Sequence, residues 1–334
     1  MKSNSNFRKL GLAICAVAAF FLVISLQMDS YSSIKRDLLA ENDEKDVPVM
    51  TALDEDAEGK SDRPIVKTFY QSMKHPTSDE IDDPIVQVWK EEWELAGFEP
   101  QVVTLADAKR HPYYDTMKEA LMEKFPTDLY NQYCFFRYLA MAATGGGWHT
   151  DYDTMPSNFP LSEAVPLPND GQFTSFQTFI PSLISASEEE WTRVAKLITE
   201  QTALTKEKHA SDMMMLKDMY TMKNSDSYGI EFKDVYSNYV LKPEDVVEGK
   251  NFMRCDRMNK SFAIHYSHHG LDMLNRRGKY PIEVIHPSQL SWSVTRAKAI
   301  KAIMKDYREQ CKMTNKVKKE KSNVDVKKIS AESL

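Results

Sequence analysis

Asp151 and Asp153 stand one residue apart, directly after Gly145-Gly146-Gly147-Trp148-His149-Thr150. Carboxylates at i and i+2 point the same way from a strand. Two hard oxygen donors on one side suit Mg²⁺ or Mn²⁺, and such a cation suits a diphosphate. That combination could polarise the leaving group of a nucleotide-sugar. Asp-x-Asp is common by chance as a pair of solvated loop acids. Here the pair follows glycines that let a backbone approach a ligand closely, and it ends an expected strand.

Other residues join this list by type. Arg137 is a lone cation amid Phe135, Phe136, Tyr138, Leu139 and Met141. Buried arginine requires a partner, here a sugar hydroxyl, a phosphate or a neighbouring Asp; an arginine lying along the helix surface is the other reading. One glycine suffices to end a helix, so Gly146 and Gly147 suggest a further demand for close approach. His265, His268 and His269 cluster late in the chain. On a strand, residues three apart face opposite ways, so His265 and His268 are not expected to share a metal. One of the three could complete the Asp-metal site or touch a phosphate. No nucleophile or general base is evident; Asp212, Glu231 and Asp234 remain unassigned acids.

The elements that must position these groups alternate. Residues 64–70 read as a first strand. Asp83 caps a helix with Pro84 at its first position, running to Ala96 and stopped by Gly97. Val86, Trp89, Trp93 and Ala96 share one face of it. Residues 98–105 read as a second strand, 107–125 as helix interrupted at Pro112, 128–144 as an apolar helix, and 148–153 as a third strand. Such alternation predicts an α/β fold with a mostly parallel, Rossmann-like sheet flanked by helices, whose ligands bind beyond the carboxyl ends of strands. Further on, strands are expected at 172–180, 235–241 and 262–268. Helices are expected from Ser187, with Glu190 completing a capping box, at 211–222, and at 290–311.

The N-terminus carries a different message. Residues 10–26 hold no charge, Lys2, Arg8 and Lys9 precede them, and Asp29 follows. The positive-inside rule leaves residues 1–9 cytosolic and sends the rest across. A 17-residue helix spans roughly 25 Å, matching the ~27 Å core of the endoplasmic reticulum bilayer better than a plasma membrane. A transmembrane signal anchor at 10–27, with Golgi or endoplasmic reticulum residence, is the expectation; a cleaved signal peptide is the alternative. Residues 28–62 form an acidic stem, 63–311 the main domain, and 312–334 a Lys-rich tail expected to be disordered. The net charge of −6 argues against nucleic-acid binding. Beyond Cys15, the three cysteines fit no zinc spacing; one disulfide plus a free thiol is compatible with an oxidising lumen. Asn259-Lys260-Ser261 is an N-glycosylation sequon there.

The run Arg137-Tyr138, Leu139, Gly146-Gly147 and Asp151-x-Asp153 resembles the Arg-Tyr, Leu, Gly-Gly, Asp-x-Asp core of glycosyltransferase family 32. Residues 65–71, 88–90, 98–100 and 105–108 resemble its opening strand, helix and second strand, and Ala263-Ile264-His265 its late histidine strand. The resemblance is close over residues 63–160 and weaker over 161–310. It implies a type-A glycosyltransferase fold in a type II membrane protein, and Mn²⁺- or Mg²⁺-dependent transfer from a nucleotide-sugar donor to a glycan, protein or lipid acceptor, with retention. By position, Asp151 and Asp153 would contact metal, ribose and diphosphate, Arg137 the donor, and His265 the metal. The family carries Asp three residues before its Arg, where this chain has Cys134. That departure keeps open a catalytically silent lumenal binding or scaffold protein.

Overall fold

The computed structural model describes residues 63–73, 81, 83–205, 211–222, 228–233, 239–248, 252–277 and 293–312. The expected anchor, the whole of the stem and nearly all of the Lys-rich tail lie outside these residues. Among the described residues no helix is long and apolar enough to cross a membrane.

In chain order come β1 (Ile65–Phe69), α1 (Pro84–Leu95), β2 (Glu99–Val103), α2 (Leu105–Lys109), α3 (Tyr114–Lys124), α4 (Leu129–Ala143), β3 (Gly147–Thr150) and β4 (Thr154–Pro156). There follow β5 (Thr174–Ser175), β6 (Leu183–Ala186), α5 (Glu188–Leu204), α6 (Asp212–Thr221), β7 (Glu231–Phe232), β8 (Val240–Leu241) and α7 (Pro243–Val246). The last described elements are β9 (Val247–Glu248), β10 (Phe252–Met253), α8 (Cys255–Met258), β11 (Ala263–His265), α9 (His268–Arg276) and α10 (Ser293–Tyr307).

A central six-stranded sheet has the order β2-β1-β3-β6-β5-β7 and is mostly parallel. Strand β6 is the exception, running antiparallel to both β3 and β5. Residues 176–182 join β5 to β6 as a short hairpin, and a short connection can only return the chain antiparallel. A smaller sheet, β4-β11-β8, continues from β3.

Helices cover both faces of the main sheet, and strand alternation divides the core between them. Val66, Trp148 and Leu183 pack with Trp89, Trp93 and Phe98 on one face, where α1 and α10 also contribute. Val103, Ile184 and Ala186 pack with Phe135, Tyr138, Phe173 and Trp191 on the other. Helix α1 begins as expected: Asp83 Oδ1 accepts from Ile85 N at 2.9 Å and Pro84 occupies the first turn. Its two tryptophans tie it to the strands below. Trp89 Nε1 donates to Thr150 Oγ1 at 2.7 Å, and Trp93 Nε1 to Thr154 O at 2.9 Å.

Several sequence expectations are corrected. The strand expected over 172–180 shrinks to β5, because Gln177–Ile180 turns back toward β6. The strand expected over 262–268 stops at His265, because Ser267 Oγ caps α9 by accepting from Gly270 N at 3.2 Å. At α5 Ser187 caps, but Glu190 bonds Phe173 N and Arg193 instead of closing the box. Of the strand expected over 235–241, residues 235–238 lie outside the described residues.

Candidate metal and anion site

Asp151 and Asp153 do not project from a strand. Strand β3 ends at Thr150, and the two acids occupy the turn into β4, where Thr154 N donates to Asp151 O at 2.8 Å. They converge because the turn is pinned at both acids: Asp151 N donates to Ser182 O at 3.0 Å, and Tyr266 N to Asp153 O at 2.8 Å. Strand β11 pairs with β4 in the register His265↔Thr154, which brings His265 beside the turn. One ligand atom from each of Asp151, Asp153 and His265 lies within 4.8 Å of the others. The half-buried group sits beyond the carboxyl end of β3, with Tyr70, just past β1, stacked edge-on against Tyr152 at 5.9 Å.

Each carboxylate is backed by an arginine. Arg137 Nη1 donates to Asp151 Oδ1 at 2.6 Å. Arg137 Nε donates to Asp212 Oδ2 at 3.1 Å, Nη2 to the same oxygen, and Tyr138 Oη also to it at 3.1 Å. Arg137 is 7% exposed and Asp212 2%, so this is a buried, charge-paired network. On the other side, Arg296 Nη2 donates to Asp153 Oδ2, while Asp153 Oδ1 faces His265 Nε2 at 3.5 Å. Burial pushes the Asp151 carboxyl up to about 6, against the pull of Arg137. Burial acts the same way on Asp153, but His265 and Arg296 outweigh it and hold that carboxyl below its ordinary range.

The imidazole is also oriented from behind. His265 Nδ1 lies 3.0 Å from Gln177 Oε1, an oxygen that also accepts from Ser182 Oγ. A carbonyl oxygen only accepts, so Nδ1 carries a hydrogen, and in the neutral ring Nε2 then presents its lone pair toward Asp153. Two acceptors facing each other at 3.5 Å are suited to a cation between them. The next residue, Thr178, has φ of +56° and a buried hydroxyl with no partner. A β-branched side chain there carries backbone strain, of the kind that gathers at functional sites.

The sequence-chosen residues divide into two groups. Asp151, Asp153, His265 and Arg137 come together. Gly146 and Gly147 do not: Gly147 opens β3 and Gly146 precedes it, at the other end of the strand from Asp151. Gly146 serves packing, since a Cβ there would lie 2.5 Å from Glu188 N at the start of α5. His268 and His269 are exposed on the first turn of α9. Asp212, unassigned in the sequence, is the buried partner of Arg137. Arg296, Gln177 and Ser182 escaped sequence reasoning altogether, because none belongs to a local motif and each arrives through tertiary contact. Cys134 lies among Arg137, Asp151 and Asp212, and burial followed by Asp212 pushes its thiol well above the ordinary range. A separate concavity of about 660 Å³, lined by Arg110, His111, Glu188 and Lys196, contains a single acid and no set of converging ligand groups.

Two of the remaining cysteines, Cys255 and Cys311, form a disulfide, while Cys134 is free.

Residues 52–242 match the family described as a domain of unknown function (DUF8765), and the chain belongs to that family. No curated protein matches it.

Proposed function

We propose that this member of a family without an assigned activity is a divalent-metal-dependent glycosyltransferase of the type-A fold, drawing a sugar from a nucleotide-sugar donor. The observation that carries the reading is the Asp151–Asp153–His265 group beyond the carboxyl end of β3. The resemblance of residues 63–160 to glycosyltransferase family 32 points the same way.

The donor set fits the expected ion: two carboxylate oxygens and one imidazole nitrogen suit Mn²⁺, and Mg²⁺ less well. When bound, such an ion neutralises charge on a departing nucleoside diphosphate. The chain's own residues fix the geometry. Arg137 and Arg296 each hold one oxygen of a carboxylate. Gln177 Oε1 accepts from His265 Nδ1, which in the neutral ring leaves Nε2 to ligate. Tyr152, between the two acids in the chain, packs edge-on against Tyr70. Transfer with retention to a glycan, protein or lipid acceptor is the family-based part of the proposal. So is residence in the Golgi or endoplasmic reticulum lumen, which the Cys255–Cys311 disulfide supports because such bonds persist in oxidising compartments.

Release of nucleoside diphosphate from a panel of sugar donors tests the reading. Turnover is expected with Mn²⁺, none with chelator, and none in Asp151→Asn/Asp153→Asn despite an intact fold by circular dichroism. Undiminished turnover in that double variant sinks the proposal. Cys134, in place of the family's acid, favours a second reading as a lumenal binding protein; Mn²⁺-dependent donor binding without turnover on any acceptor would select it.

A further inference from the structure

The charges around the candidate site do not balance once a metal is added. Asp151, Asp153 and Asp212 carry three negative charges, and Arg137 and Arg296 two positive ones, leaving one net negative charge. A divalent cation turns that into one net positive charge in a half-buried place. Uncompensated buried charge is costly, so the loaded site calls for an anion.

The two arginines differ in what they can offer that anion. All three nitrogens of Arg137 already bond carboxylates, Nη1 to Asp151 and Nε and Nη2 to Asp212. Arg296 is as well buried, at 8% exposed, but it is incompletely used. Its Nη2 serves Asp153 and donates to Tyr266 O at 3.2 Å, whereas its Nε is buried without any acceptor. An unsatisfied buried donor costs on the order of 1–3 kcal/mol, and a guanidinium with donor capacity to spare suits a phosphate oxygen. If Arg296 served only to balance Asp153, it would oppose metal binding with nothing gained.

We infer that Arg296, delivered by the C-terminal helix α10, is the residue that binds the diphosphate of the donor, donating to a phosphate oxygen beside the metal. This rests on the glycosyltransferase reading and assigns the anion contact to a residue outside the Asp-x-Asp region. Arg137 is thereby a positioning residue for Asp151.

Calorimetric titrations on the full chain separate the possibilities. Mn²⁺ is titrated alone, and then UDP, GDP and inorganic diphosphate are titrated at saturating Mn²⁺, for wild type, Arg296→Gln and Arg296→Lys. Arg296→Gln should bind Mn²⁺ at least as well as wild type, since a competing cation has gone, yet bind the preferred diphosphate at least tenfold more weakly. Arg296→Lys should recover part of that loss and retain the pairing with Asp153. Preference for UDP or GDP over inorganic diphosphate would assign the anion to a nucleotide; equal binding would assign it to the diphosphate group alone. Diphosphate affinity within threefold of wild type in Arg296→Gln, or a loss no larger than its loss of Mn²⁺ affinity, overturns the inference while leaving the glycosyltransferase reading standing. Wild type that binds neither Mn²⁺ nor any of the three anions overturns that reading itself.

Discussion

Asp153 divides its two oxygens between Arg296 and His265, and His265 divides its two nitrogens between Asp153 and Gln177. At this scale the orientation of the imidazole is set by Gln177, not by any motif. Partners behind a ligating histidine typically contribute 10–100-fold in metal affinity. Gln177→Leu should therefore weaken Mn²⁺ binding by that order, while Gln177→Glu, which keeps an acceptor, should preserve it. Equal Mn²⁺ affinities for wild type and Gln177→Leu, measured by calorimetry, would show that Gln177 does not orient the ring. Asp151, Asp153, Arg137 and His265 were legible from the sequence because each belongs to a short run of distinctive residue types. Gln177 was not: a glutamine in an apolar stretch carries no signal until the fold sets it against a histidine 88 positions away.

Among the elements, the junction of α4 with β3 shows how a local pattern acquires a tertiary meaning. Gly146 is required because α5 begins against its backbone, and Gly145 and Gly147 adopt positive φ values. Lys67 on β1 closes this turn from beneath, its Nζ donating to Gly146 O at 2.9 Å and also to Thr144 O. Burial lowers the Lys67 ammonium from the ordinary 10.5 to about 8, against the pull of Asp107 and Glu188. A lowered folded-state value means that charged Lys67 costs stability below about pH 8. Between there and 10.5 the unfolded chain holds the extra proton, so stability contributed at this site should rise with pH. Urea unfolding from pH 7.5 to 10 should show that rise relative to Lys67→Met, which loses the slope. The same variant should be less stable by about 1–3 kcal/mol, through stranded carbonyl groups. Parallel slopes in the two proteins would refute the assignment. The early elements were legible because β1 through α4 carry clear periodicity and caps. The later strands were misjudged because β5 and β11 are too short to show a period of two, and their ends are set by the hairpin and by the Ser267 cap.

Across the whole domain, the second half of the chain closes over the first. Helix α10 brings Arg296 to Asp153, and Arg308 beyond it pairs with Glu92 on α1. Tyr307 Oη donates to Ser157 O at 3.1 Å. The disulfide ties Cys311 to Cys255, 56 residues apart. A crosslink closing a loop of that length removes about 4 kcal/mol of unfolded-state entropy on the chain-entropy account. Reduction, or Cys255→Ser/Cys311→Ser, should lower unfolding stability by roughly 2–5 kcal/mol. Chemical denaturation with and without reductant measures it, and an unchanged midpoint would mean that the bond carries no constraint. The sequence by itself determined the α/β alternation and offered two closely spaced acids, an upstream arginine and a late group of histidines as candidates, because helix caps, apolar periods and motif spacing are local properties. Only the tertiary structure decided that the acids sit in a turn, that Asp212 pairs with Arg137, and that Arg296 and Gln177 complete the site. Those contacts join residues 75 to 143 positions apart, and at such separations packing, not sequence spacing, determines which side chains meet.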